Sequence, residues 1–363
     1  MIPLRLPAAI EAERPFVTRI EDAGARPAGK RRFQSWIVGD DVFGLALAGD
    51  QGLFTIDGIQ ASQVVGDVLL VDPIRQQAER LIRADSLHNT LLVTERCDQL
   101  CQMCSQPPKK THEDRFELLR QASLLAPEGA TLGITGGEPT LYKNELFDLI
   151  EITLGERPDM SFHVLSNGQH FEQHDVGRLR NPAFARVTWG IPLYSSAASE
   201  HDAIVGKPGA FERLHQSFGR LVEAGARVEL RTVVLSSNAF ELPALAKHIV
   251  WRLPFIGSWS VMQLENIGFA KNRWSKLFFD HRANFTPIAE ALDRASLHAL
   301  QARLFNFPLC TVPPAYRSYA VRSISDWKQK YVAACDDCSL KPRCAGFFEW
   351  HSGEHANAWV RPE

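Results

Sequence analysis

The sequence predicts an α/β fold: a partial (β/α)6, TIM-like barrel between a small N-terminal β-rich domain and a cysteine-rich C-terminal domain. Three observations lead there. From Leu91 onward, apolar strand-like runs alternate with amphipathic helical segments. The residues before His88 carry only short strand patterns broken by Gly and Asp. Four of the seven cysteines, Cys310, Cys335, Cys338 and Cys344, fall near the end of the chain. The domains are read as residues 1–87, 88–295 and 296–363.

In the first domain, Trp36–Asp41 and Asp67–Pro73 read as strands separated by Gly and Asp turns. No catalytic constellation is present. The domain is either a structural cap on the barrel or a surface that helps hold a partner.

The barrel strands are expected at Leu91–Glu95, Thr131–Thr135, Ser161–Ser166, Val187–Pro192, Val228–Val234 and Trp259–Gln263. Helical segments lie between them, including Arg115–Leu125, Asn144–Leu154, Phe211–Ala224 and Glu241–Trp251. Repeated βα units argue for a parallel sheet, and six of them suit a partial barrel. In such barrels the loops after the strands carry the chemistry. Pro287–Leu304 reads as a helix leading out of the barrel.

The first such loop holds Cys97, Cys101 and Cys104 in a C-x3-C-x2-C spacing. Three thiolates on one short loop can hold three irons of a 4Fe–4S cube and leave the fourth open to chelate a ligand. Structural zinc wants four ligands, and the nearest further candidate, His112, lies beyond the Pro107-Pro108 break. The second strand runs into Gly136-Gly137-Glu138-Pro139, where two glycines allow close approach of the backbone to a ligand.

The cysteine loop followed one βα unit later by Gly-Gly-Glu-Pro resembles the radical SAM superfamily. The resemblance implies S-adenosyl-L-methionine as cofactor, bound at a 4Fe–4S cluster on Cys97, Cys101 and Cys104. It implies that the backbone of Gly136, Gly137 and Glu138 holds the methionyl amino group. Ser166-Asn167-Gly168 resembles the family's third-strand step, so Ser166 and Asn167 are candidate nucleotide contacts. Ser195, after the fourth strand, is a candidate ribose or carboxylate contact. His201–Phe211 resembles the segment that follows there in peptide-modifying members. Arg231 matches a fifth-strand position that pairs with the cofactor carboxylate, a role suited to the planar guanidinium fork. Met103 stands where the superfamily usually has an aromatic residue; a thioether can still pack against the adenine side.

Cys335, Cys338 and Cys344 follow a C-x2-C-x5-C spacing, with Cys310 upstream. Four thiolates saturate either a 4Fe–4S cluster or a zinc ion, and spacing alone does not choose. This run resembles the auxiliary-cluster domain of the SPASM and Twitch type, and the cysteine count allows one auxiliary cluster, as in the shorter Twitch form. Three plus four uses every cysteine in the chain.

Leu91–Cys97, Cys104–Lys109 and Cys344–Phe348 look like the maturases of the His-Xaa-Ser peptide system. That resemblance implies hydrogen abstraction from a ribosomally made precursor with His-x-Ser repeats. It also implies a companion radical SAM protein and a reducing partner such as flavodoxin or ferredoxin. A radical enzyme acting on a small-molecule or cofactor precursor is the alternative. A non-catalytic zinc or iron–sulfur binding protein is the second, though a mere binder has no need of the Gly-Gly-Glu-Pro motif.

Composition sets the outer limits. The chain has 363 residues, 45% of them apolar, and a net charge of −2. No basic run supports nucleic-acid binding. No apolar run is long enough to span a membrane, and residues 1–16 have no signal core. A cytoplasmic location is the expectation.

Overall fold

The computed structural model describes residues 2–22, 32–42 and 44–363. The N-terminal strands are β1 (Arg5–Ile10), β2 (Phe16–Glu21), β3 (Gln34–Asp40), β4 (Gly44–Gly49), β5 (Gly52–Asp57), β6 (Val68–Asp72) and β7 (Gln77–Ile82). They close into a barrel in the order β1-β5-β4-β3-β2-β6-β7, with β7 returning to β1 so that Leu6 faces Ala78. Closure removes the free edges that a small sheet would otherwise expose. Alternate residues such as Leu6, Ala8, Phe54 and Ile56 fill the interior. At one rim, Arg80 donates to Asp67 at 2.6 Å, and both side chains are 2% exposed.

The second sheet is β8 (Thr90–Thr94), β9 (Thr131–Gly136), β10 (Ser161–Leu165), β11 (Val187–Pro192), β12 (Arg227–Val234), β13 (Ser258–Gln263), β14 (Gln301–Phe305) and β15 (Ala320–Val321). These eight strands run parallel in sequence order. The six expected strands are all present, and β14 and β15 extend the sheet. The helices between them include α1 (Phe116–Leu124), α2 (Lys143–Glu156), α3 (Val176–Leu179), α4 (Ala198–Val205), α5 (Ala210–Ala224) and α6 (Leu242–Arg252).

The period-two alternation of each strand separates two surfaces. On β12, Val228, Leu230 and Val234 join the apolar core that also holds α5 and α6 residues such as Leu214, Phe218, Leu245 and Ile249. Glu229, Arg231 and Val233 point the other way, into the barrel. The inner surface is thus partly polar, while the outer one is the hydrophobic core.

After β13 come α7 (Gly268–Asn272), α8 (Trp274–Leu277) and α9 (Thr286–Leu297). The helix expected over Pro287–Leu304 therefore stops at Leu297. Ala299 takes φ +56°, and Gln301–Phe305 switches to period two, with Ala302 and Leu304 buried beside exposed Gln301 and Arg303. The C-terminal region has a short hairpin, β16 (Gln329–Lys330) with β17 (Phe347–Phe348), and ends in α10 (Gly353–Trp359). Among the described residues no helix is long and apolar enough to cross a membrane.

The N-terminal barrel is fastened to the rest. Val17, Val68, Leu70, Leu81 and Ile82 are part of the same apolar core as Leu91 and Val93. Arg83, 4% exposed, donates through one nitrogen to both oxygens of Asp326 at 2.8 and 2.9 Å.

Candidate cluster and cofactor site

The cysteine loop leaves the C-terminal end of β8 and is held on two sides by backbone hydrogen bonds. The N–H groups of Leu100 and Gln102 donate to the carbonyls of Val205 and Ile204 at 3.1 and 2.9 Å. These are carbonyls of the last turn of α4, which has no intrahelical donors for them. On the other side, Phe269 N–H in α7 donates to the Cys104 carbonyl at 2.9 Å.

The three thiols act on one another: charge on Cys104 or Cys97 raises Cys101. Burial pushes Cys97 and Cys101 up to about 12 and raises Cys104 as well. Glu138 and Asp98 push Cys97 further in the same direction. Such thiols ionise only when a bound cation offsets the cost. His112 is not among them; its ring stacks on Tyr142 at 3.8 Å and its Nδ1 meets Thr94 Oγ1 at 3.1 Å.

The Gly-Gly-Glu-Pro turn is zipped onto this loop. Gly137 N–H donates to the Thr94 carbonyl at 2.9 Å and Glu138 N–H to the Arg96 carbonyl at 2.7 Å. Gly136 ends β9 beside Thr94. A Cβ on Gly137 would lie 2.2 Å from the Arg96 carbonyl oxygen and 3.0 Å from Cys97 Cβ, so the loop requires glycine there. The Glu138 carboxylate is fully buried. It accepts from Thr140 N–H at 2.8 Å, Thr140 Oγ1 at 2.5 Å, Ser166 Oγ at 2.8 Å and Asn167 N–H at 2.5 Å. Burial raises its pKa against these four donors. Glu138 thus fixes the turn after β10 in place beside the cysteine loop.

That turn reaches the loop directly. Asn167 Nδ2 donates to Asp98 Oδ1 at 2.8 Å. His170 Nε2 lies 3.2 Å from the other Asp98 oxygen, and Lys207 pairs with the same oxygen. Burial alone would raise Asp98, but His170 and Lys207 hold it well below the usual carboxylate range. Asp98, His170 and Lys207 were not singled out from the sequence; their signal was the acidic residue next to the first cysteine. Ser195, after β11, is 1% exposed and accepts from Ala197 N–H at 3.0 Å, which shapes the turn into α4. Met103 is buried in a small apolar cluster with Tyr194, Ile204, Val205 and Leu264.

Arg231 lies inside the barrel. One of its nitrogens donates to Glu229 at 2.9 Å, another approaches Met262 Sδ at 3.3 Å, and the guanidinium sits over Phe305. Glu229 also meets His163 Nε2 at 2.5 Å and accepts from Ser260. Burial pushes Glu229 up, but His163 and Arg231 outweigh it and lower it to about 2. The His163–Glu229 contact spans β11 at Gly190, where a Cβ would sit 3.1 Å from both His163 Nε2 and Arg231 Cδ.

The remaining four thiols converge in the C-terminal region. Cys310, Cys335, Cys338 and Cys344 line one small cavity with Pro308, Tyr331, Leu340 and Phe347. The N–H groups of Leu309 and Gly346 donate to Cys344 Sγ at 3.3 and 3.4 Å, the kind of bond that stabilises a metal-bound thiolate. A tetrahedral zinc site would hold its sulfurs about 3.8 Å apart, from a Zn–S bond of about 2.3 Å. Among the described residues, the one group of three or more candidate ligands mutually within 4.8 Å is Glu172, His174 and Asp175. That group is already served by Lys143, whose Nζ is 2.7 Å from Asp175. Among the described residues, neither cysteine set has three thiols mutually within 4.8 Å.

The radical SAM superfamily profile matches residues 91–248. This segment is a radical SAM domain. It runs from the first residues of β8 into α6 and so contains the cysteine loop, the Gly-Gly-Glu-Pro turn, Asn167, Ser195 and Arg231. No curated protein matches the chain in sequence. Among solved structures, SuiB of Streptococcus suis bound to S-adenosylmethionine is 17% identical with a TM-score of 0.49, covering 61% of this chain and 51% of its own. A structure of anSMEcpe with bound AdoMet and the Cp18Cys peptide is 13% identical with a TM-score of 0.47, covering 59% of this chain and 62% of its own. TYW1 with a lysine-pyruvate adduct is 16% identical with a TM-score of 0.37, covering 57% of this chain and 70% of its own. The chain thus spans about half the length of SuiB.

Proposed function

We propose that this chain is a radical S-adenosylmethionine enzyme that abstracts hydrogen from a ribosomally made precursor peptide, of the His-Xaa-Ser repeat type, to modify or crosslink it. The observation that supports this best is the presence of two separate thiol sets: three at the strand ends of the radical SAM domain, four around one cavity in the region that follows. Bound at the first set, a 4Fe–4S cluster and S-adenosylmethionine supply reductive cleavage to a 5′-deoxyadenosyl radical.

The protein's own part is to hold and shield. Cys97, Cys101 and Cys104 hold the cluster on a loop pinned by α4 and α7. The backbone at Gly136, Gly137 and Glu138 and the side chains of Ser166, Asn167, Ser195 and Arg231 would serve as the cofactor contacts. The apolar cluster of Met103, Tyr194 and Leu264 keeps water from beneath the loop. Cys310, Cys335, Cys338 and Cys344 would hold one auxiliary 4Fe–4S cluster. A companion radical SAM protein, a flavodoxin or ferredoxin as donor, and a cytoplasmic location complete the proposal.

Anaerobic reconstitution tests it. About eight irons per chain, the sum of two cubes, with 5′-deoxyadenosine formed on adding dithionite and S-adenosylmethionine, supports the two-cluster enzyme. A mass change in a His-x-Ser precursor peptide, with the companion protein present, supports the substrate. Zinc at the C-terminal thiols would reject the auxiliary cluster. Cofactor cleavage that leaves the peptide unchanged would reject the substrate.

A further inference from the structure

The strand that delivers the cysteine loop is an edge. Among the described residues, β8 pairs with β9 on one side and with no strand on the other. Along a strand the main-chain groups of successive residues alternate between the two sides. The Asn89 carbonyl accepts from Gly133 N–H, on the β9 side. The N–H and C=O of Leu92, an odd number of residues further on, therefore point to the open side. Among the described residues neither group has a hydrogen-bond partner. The chain itself uses this edge at its far end, where Lys109 N–H donates to the Glu95 carbonyl at 2.9 Å.

The open side faces a cavity of about 490 Å³, within the range of about 300–1,000 Å³ that ligand clefts occupy. Leu92, Val93, Thr94 and Glu95 all line it. Consecutive residues line a cavity along a strand's edge, whereas a strand's face would contribute alternate ones. Residues of β6 and β7 in the N-terminal barrel, and the segment from Lys109 to Leu118, supply most of the other walls. Two ion pairs join the barrel to that segment and hold the walls together: Arg75 with Glu113 at 2.9 Å and Arg115 with Glu79 at 2.7 Å.

The carboxylates of the lining are engaged. Asp72 and Glu113 hold Arg75, Glu79 holds Arg115, Glu95 holds Lys109, and Asp114 accepts from Phe116 N–H. None is left to bind a cation. What stands open is one main-chain donor and one main-chain acceptor on an edge strand, and another extended chain is the complement to that pattern.

We propose that the free edge of β8 docks an extended segment of the precursor peptide as an added strand, in the cavity between the N-terminal barrel and the radical SAM domain. Leu92 exchanges both of its main-chain bonds with one residue of the segment, as facing residues of an antiparallel pair do. Beyond Leu92 the strand runs on into the loop of Cys97, so a docked segment brings the rest of the peptide to the cluster site. This rests on the peptide reading above and adds where the enzyme grips its substrate.

The test uses the full, reconstituted protein and a full-length synthetic His-x-Ser precursor. Amide hydrogen exchange, read by mass spectrometry in wild type, should slow at Leu92 by tenfold or more when the precursor is bound. Two variants read the same contact through affinity. Leu92→Pro removes the donor yet leaves the β8–β9 ladder whole, because a proline whose nitrogen faces outward on an edge strand takes no bond from the sheet. Leu92→Val keeps the donor. At equal iron content and thermal midpoint, precursor affinity should fall tenfold or more in Leu92→Pro and hold in Leu92→Val. Precursor bound with the Leu92 amide unprotected, or bound equally well by Leu92→Pro, overturns the docking edge and leaves the peptide reading standing. An equal fall in both variants assigns the contact to the side chain and overturns strand pairing. If Leu92→Pro does not fold, the exchange at Leu92 in wild type decides. A wild type that does not bind the precursor overturns the peptide reading and the docking edge together.

Discussion

The side-chain amide of Asn167 donates to the carboxylate of Asp98 at 2.8 Å, tying the loop after β10 to the residue that follows the first cysteine. Asp98 also takes His170 and Lys207, so one carboxylate gathers two segments, the turn after β10 and the turn between α4 and α5, onto the cluster loop. Asp98→Ala leaves Lys207 without its partner and frees the loop. Loss of a hydrogen bond of this charged kind costs about 1.5–3 kcal/mol. We expect iron at the first site to be lost to a chelator at least tenfold faster. Asn167→Ala, which removes one contact of three, should give a smaller change. Equal rates in Asp98→Ala and wild type would show that the clasp does not hold the loop.

Gly137→Ala is the most direct test of the Gly-Gly-Glu-Pro turn. The added Cβ would meet backbone, the Arg96 carbonyl oxygen at 2.2 Å, and cannot be relieved by rotating a side chain. The cysteine loop must move, and Cys97 moves with it. The expected result is loss of about four irons per chain, the content of one cube, with the C-terminal cluster retained. Gly155→Ala in α2, where an added Cβ meets nothing within 4 Å, should leave iron content unchanged.

Gly190 lets His163 reach Glu229 across β11. An alanine there would press on Leu165 Cδ2 at 2.8 Å, and on His163 and Arg231 at 3.1 Å. Overpacking of this kind costs about 1–3 kcal/mol. We expect a lower urea midpoint in Gly190→Ala, and a smaller further loss on adding Glu229→Gln than Glu229→Gln causes alone. Additive losses would separate Gly190 from the His163–Glu229 contact.

Much of this was legible in the sequence because it depends on local spacing. The cysteine loop, the Gly-Gly-Glu-Pro turn and six parallel strands each leave a pattern within a dozen residues. The closed N-terminal barrel was visible only as short strands, since pairing β1 with both β5 and β7 depends on contacts far apart in sequence. The strand β14 was read as the end of a helix because Ala302 and Leu304 fit either period over so short a run. Asp98 and Lys207 could not be found that way. A surface-looking charge in sequence becomes a site residue only when distant elements bring it an opposite charge, as with Asp98 and Lys207.

Three buried histidines oppose protonation of the folded chain on the acid side. Burial lowers His201 to about 4, His281 to about 3 and His351 to about 4, from the ordinary 6.5. His201 Nδ1 accepts from Tyr194 N–H at 3.3 Å, which fits a neutral ring. Above pH 6.5 both folded and unfolded chains carry these rings neutral, and their contribution to stability is complete. Below 6.5 the unfolded chain takes up protons that the folded one refuses, so stability falls by about 1.4 kcal/mol per pH unit for each histidine. Glu229, lowered to about 2, acts only below the ordinary glutamate value of 4.5. In the window from 6.5 to 4.5, Glu138 and Glu265, which burial raises above the ordinary glutamate value, act against the histidines, and His248, also lowered by burial, adds to them. We expect His281→Gln, which can keep the hydrogen bond to Thr311, to flatten the pH dependence of the urea midpoint between pH 6.5 and 4.5. Comparing variant with wild type at each pH cancels any loss from protonated cysteine ligands, which both proteins share. Parallel curves from pH 7.5 to 5 would mean that His281 is protonated in the folded chain, contrary to its burial.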